Sequence, residues 1–83
     1  MKVVIDKSVF LFLKENKIKL SQQLKTVISH LKLNPKMYAI IANDDCIRHF
    51  IIKGIDFGYM IDDGVVIISD CRFVKSNTKL KVR

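Results

Sequence analysis

The chain has 83 residues, enough for one domain and one modest core, and its 49% apolar content belongs to a folded protein rather than a disordered one. Apolar runs such as Val9–Leu13 and Val65–Ile68 fall far short of the about 20 residues that cross a bilayer, and Asp6 and Lys7 interrupt any signal-peptide core, so a soluble, cytoplasmic protein is expected. The formal net charge of +7 favours polyanions or an acidic protein as partners.

"KVVI", Lys2 to Ile5, is a β-branched run and reads as a first strand. Asp6 or Ser8 is placed to accept from the orphan N–H groups of a following helix, whose apolar stripe is Val9, Phe10, Phe12 and Leu13. Asn16 and Lys17 end it. "LSQQLKTVISHLKLNP" is a second helix. Leu20, Leu24, Val27, Ile28 and Leu31 recur on one face of a 3.6-residue period, with Ser21 as N-cap and Pro35 as stop. Gln22, Lys25 and Ser29 belong to its solvated side. The short link between the two predicts an antiparallel helical hairpin.

"KMYAIIANDD" reads as an extended connection, and "CIRHFIIKG" as a buried strand. "IDFGYMI" and "VVIISD" flank an Asp-Asp-Gly and form a β-hairpin. A two-residue turn at Asp63 and Gly64 pairs Asp62 with Val65. Tyr59, Ile61, Val66 and Ile68 then share one face, and Met60, Val65 and Ile67 the other. "CRFVKSN" continues as a last strand or an irregular end, before a basic tail. The predicted fold class is α+β: an N-terminal strand and a helical hairpin packed on a three- to four-stranded, mainly antiparallel sheet.

Charge is unevenly placed. Residues 1–36 carry eight Lys and two acids, residues 37–70 carry Arg48 and Lys53 against six Asp, and residues 71–83 carry five cations and no acid. Cys46 and Cys71 form no Cys-x-x-Cys pair and, with His30 and His49, no zinc pattern; they read as reduced thiols that pack as small apolar groups. No metal or cofactor is expected.

This order resembles the RelE/ParE superfamily of toxins from type II toxin–antitoxin pairs. The likeness covers nearly the whole chain, residues 1–83 as a single toxin domain. It is carried by "VVIDKSVFLFLKENKIKLSQQLKTVISHLKLNP", a strand and helical hairpin ending in Asn-Pro, and by "IRHFIIKGIDFGYMIDDGVVIIS", a basic strand followed by a "Y-x-I-D-D-G-x-V" hairpin. The resemblance implies a RelE-like mRNA interferase that cleaves translated mRNA at the ribosome. The alternative is a ParE-like inhibitor of DNA gyrase, or a degenerate relative that acts by binding only. It also implies a cognate antitoxin as partner.

RelE-like members place Lys, Arg, His or Tyr on the sheet to neutralise the scissile phosphate, activate the ribose 2′-hydroxyl and protonate the leaving oxygen. Position by position, the resemblance points to Arg48 on the strand before the hairpin, Tyr59 as the second Tyr of "Y-R-x-x-Y", and Arg72 and Lys75 near the end of the last strand. These four are the expected catalytic set, gathered into one positive patch beside Tyr59. The chain departs from the pattern at Phe50 and near Asp56, where some members carry cations. Ser76 and Asn77 stand where a terminal Tyr or His is usual.

His49 has the side chain suited to acid–base work near neutrality, but alternation sends it to the face opposite Arg48, and it reads as a packed or edge histidine. His30 reads as a surface residue. Asp56 and Asp70 come near each other across the hairpin and read as strand-ending or turn-capping residues rather than an acidic pair. A winged helix with the Asp-Asp-Gly hairpin as wing is disfavoured, because the second helix is too apolar and too poor in Arg for recognition of DNA. A PIN-type nuclease, suggested faintly by "VVIDKSVFLFL", needs a longer chain.

Overall fold

A computed structural model describes residues 1–41 and 44–74. The chain is α+β, in the order β1 (Lys2–Ile5), α1 (Lys7–Glu15), α2 (Ser21–Leu33), β2 (Ile40–Ile41), β3 (Asp44–Ile52), β4 (Ile55–Asp62) and β5 (Val65–Phe73). Five strands form one mixed sheet in the order β1-β5-β4-β3-β2: the N-terminal strand joins the four later strands, and the two-residue β2 forms one edge. β3, β4 and β5 are antiparallel, whereas β1 runs parallel to β5, with Lys2 opposite Val65 and Ile5 opposite Ile68.

Both tight turns use a left-handed pair of residues. Asp63 and Gly64 have φ of 51° and 77°, and Lys53 and Gly54 have 49° and 79°, the type I′ pattern that matches strand twist. The β4–β5 register is the expected one, Asp62 opposite Val65.

α1 is capped by Asp6, whose carboxylate accepts from the Ser8 N–H at 2.9 Å. The same turn is tied to β5: the Asp6 N–H donates to the Ile68 carbonyl at 2.9 Å and the Ser8 hydroxyl to that of Ser69 at 3.2 Å. α1 ends at Asn16, with Lys17 in the left-handed region. α2 differs from expectation at its start. Leu20 holds the cap position with no side-chain hydrogen bond, and Ser21 is the first helical residue. Burial fixes this end instead, since Leu20 is a core residue and side-chain packing outweighs a missing cap.

The helices cover one face of the sheet. Val9, Leu20, Leu24 and Leu31 pack with Phe50, Ile55, Phe57, Tyr59, Val66 and Ile68. Within this core Phe50 stacks on Phe57 at 5.1 Å, and Tyr38 meets Phe50 at 5.4 Å and Tyr59 edge-on at 6.4 Å. No helix among the described residues is long and apolar enough to cross a membrane.

Candidate functional site

Strand alternation decides which side chains meet. On β3, Arg48 shares its parity with the core residue Phe50 and with Ile52, so it points to the helix face; Ile47, His49 and Ile51 take the open face. Arg48 stands opposite Tyr59. From Nη1 its guanidinium donates to the carbonyls of Tyr38 at 2.8 Å and Lys36 at 3.3 Å. It thereby pins the segment that leaves α2.

Tyr59 is completely buried, and its hydroxyl donates to the Pro35 carbonyl at 2.7 Å. Burial pushes the phenol above its ordinary value. A sequestered proton held by a backbone carbonyl is not available to a leaving oxygen.

Arg72 lies elsewhere. Gly58 pairs with Asp70 but Tyr59 pairs with Ile68, so Ser69 is an extra residue on β5. This bulge shifts the alternation by one. Without it Arg72 would follow Val66 and Ile68 onto the helix face; with it Arg72 faces Asp56 on the open face. The expected patch therefore does not form: Arg48 and Tyr59 are neighbours on one side of the sheet, and Arg72 is on the other. Lys75, Ser76 and Asn77 lie outside the described residues.

The open face holds a cluster that the sequence reading set aside. His49 Nδ1 is 3.0 Å from Asp56 Oδ1, and Arg72 Nη2 is 3.9 Å from Asp56 Oδ2. The side chains of His49 and Asp56 are 32% and 16% exposed. The signal was the Lys-Gly between the two strands. A two-residue turn there puts Ile51 opposite Asp56, and His49, two residues back on the same face, diagonal to it. Asp70 faces Gly58, not Asp56. Its carboxylate lies across that glycine, 2.7 Å from where a Cβ would stand. Asp56 is thus the second residue of β4, and Asp70 an interior residue of β5.

The chain matches no known protein family, no curated protein and no solved structure.

The two faces differ in charge. Among the described residues the open face carries Asp56, Asp62 and Asp70 against Lys2 and Arg72, around an aliphatic row of Val4, Ile67, Met60 and Ile47 that crosses four strands. From Lys7 to Lys36 the helix layer and its links carry seven Lys, all exposed, against Glu15 alone. Among the described residues the positive charge thus gathers on the helix layer, whereas acids outnumber cations on the open face. Among the described residues no group of three His, Cys, Asp or Glu is arranged to hold a metal. Burial pushes the Cys71 thiol up to about 11, with Asp70 adding to the rise.

Proposed function

We propose that the protein acts by binding rather than by cutting RNA, as a RelE/ParE-type module that holds an acidic macromolecule against its basic helix layer. The observation that carries this reading is the separation of Arg48 from Arg72 on opposite sides of the sheet. Cleavage of a phosphodiester needs its cations and its proton-transfer groups around one phosphate. Arg48 is instead engaged with two backbone carbonyls, and Tyr59 with a third. The acids of the open face further disfavour an RNA strand there.

A second reading rests on His49. Its Nδ1 is oriented by Asp56, and among the described residues its Nε2 makes no hydrogen bond, so the imidazole has a general base's arrangement with Arg72 nearby to meet a phosphate. On this reading the protein is the mRNA interferase that the resemblance implies, with the open face as its site.

One experiment separates the two. The protein is induced in a growing bacterium, 5′ ends are mapped on several messages by primer extension, and translation and DNA integrity are followed in parallel. Arrest with intact messages supports binding, and accompanying DNA damage would name gyrase as the target. New 5′ ends inside reading frames that vanish with His49→Ala would overturn the binding reading in favour of the second.

A further inference from the structure

The helices cover one face of the sheet, and among the described residues the other face keeps apolar side chains in contact with solvent. Its aliphatic row of Val4, Ile67, Met60 and Ile47 is partly exposed, with Val4 at 39%, and Ile51 on the same face is 55% exposed. Apolar surface of this extent in a small protein marks a place where another layer packs. The row is flanked by charges of both signs. Lys2 and Asp62 lie on one side of it, and Asp70, Arg72 and Asp56 on the other. With strands about 4.8 Å apart and same-face residues about 6.8 Å apart along them, this patch of four strands covers on the order of 500 Å². Two such patches bury about 1,000 Å² together, the lower limit of a specific interface.

We propose that the open face is a dimer interface, on which a second copy of this chain packs sheet against sheet. This goes beyond the binding reading and does not depend on it. The patch is complementary to itself. A two-fold axis between the sheets, parallel to the strands and midway between β4 and β5, exchanges β4 with β5 and β1 with β3. Ile67 then meets Met60 of the second copy, and Val4 meets its Ile47. Arg72 meets the second copy's Asp56. Within its own chain Arg72 stands 3.9 Å from Asp56 and is 72% exposed, so the guanidinium is able to turn to the other copy. The same operation brings Asp62 within reach of the second copy's Lys2. Asp70 is the exception: its carboxylate lies over Gly58, beside the axis, and approaches its own counterpart.

Charge selects this occupant. Asp56, Asp62 and Asp70 against Lys2 and Arg72 leave the open face close to neutral, so it does not repel itself. The helix layer also exposes apolar side chains, Phe10 and Leu11, but its seven Lys against Glu15 oppose a second copy there. The three acids of the open face oppose a nucleic acid or an anionic lipid surface. In the dimer both helix layers face outward, and His49 is covered.

The test is sedimentation of the full chain across micromolar to sub-millimolar concentrations, with the methyl NMR signals followed over the same dilution series. A dimer in the micromolar range is expected, and dilution should shift Val4, Ile47, Met60 and Ile67. Met60→Lys is expected to weaken it about tenfold or more. Arg72→Glu and Asp56→Lys should each weaken it about tenfold, because each sets like charges together twice across the axis. An equimolar mixture of these two variants should associate again, since every reversed charge then meets its opposite. Asp70→Asn, which removes the one approach of like charges, should tighten the dimer. All these positions lie outside the core, so the variants should fold, which circular dichroism verifies; the dilution series on the unaltered chain decides without them. A monomer at every concentration would overturn the proposal. So would association whose shifts fall on Phe10 and Leu11, or a mixture of the two charge variants that stays monomeric. A monomer in which Ile47, Met60 and Ile67 show nuclear Overhauser contacts to Leu80 and Val82 would give the face to the chain's own C-terminal tail and refute the dimer.

Discussion

Replacing Tyr59 by Phe removes one hydroxyl from a fully buried side chain and keeps its ring contacts with Tyr38 and Phe50. What is lost is the 2.7 Å hydrogen bond to the Pro35 carbonyl, which holds the exit of α2 to the sheet. The net worth of such a bond is about 0.5–1.5 kcal/mol, and stranding a half-buried acceptor raises the cost toward about 2 kcal/mol. With about 1.5 kcal/mol as the central figure and about 4–8 °C per kcal/mol for a domain of this size, Tm should fall by about 6–12 °C. A thermal melt by circular dichroism at pH 7 measures this, and induced growth arrest at a permissive temperature is scored beside it. Where the wild type arrests growth, the variant should do so too, because the hydroxyl serves the fold. An unchanged Tm would show that the bond does not stabilise the protein. An unchanged Tm with loss of arrest would return Tyr59 to the catalytic role that the resemblance implied and refute the structural one.

Arg48→Ala should cost about 1–2 kcal/mol by releasing the carbonyls of Lys36 and Tyr38, seen as a lower Tm, while the messages of induced cells stay intact as in the wild type. Cys71 should resist iodoacetamide at pH 8 in the folded protein and react once urea unfolds it, as mass spectrometry of timed samples would record. Because the folded thiol titrates at about 11, above its ordinary value near 9, its contribution to stability is complete below about pH 9 and is lost as pH rises toward 11; Cys71→Ala should flatten that part of the urea-unfolding profile. Gly64→Ala places a Cβ at φ of 77° and should cost about 1 kcal/mol or more, whereas Gly58→Ala meets only the swinging end of Asp70 and should cost less; paired urea melts compare them.

Several parts of this molecule were legible because one strong local cause fixed them. Asp-Gly at 63 and 64 demands the left-handed pair that only a tight hairpin uses, and the pairing of β4 with β5 near the turn followed from it. The stripe of α2 was legible because Leu20, Leu24 and Leu31 repeat at the helical period and are the residues buried. The side taken by Arg48 was harder. β3 has apolar residues on both parities, Ile47 and Ile51 against Phe50 and Ile52, and only the large ring of Phe50 hints which set enters the core. The position of Arg72 turned on Ser69, which nothing in "VVIISDCRF" marks as a bulge, and one uncounted residue reverses every side chain beyond it. The parallel pairing of β1 with β5 joins the two ends of the described chain, and no neighbouring residue signals so distant a partner.

That pairing has a consequence for how the protein comes to exist on the ribosome. β1 is made before the other described strands and β5, its neighbour in the sheet, after them, so the four β1–β5 pairs cannot form while the middle of the chain is being translated. The start of α1 waits as well, since the Asp6 N–H and the Ser8 hydroxyl donate to β5 carbonyls. Ile5, which packs against the core, and the start of α1 therefore reach their final places only after β5 has been made. A nascent chain stalled before Val65 carries every lysine of the helix layer but lacks the strand that ties β1 and the start of α1 to the sheet.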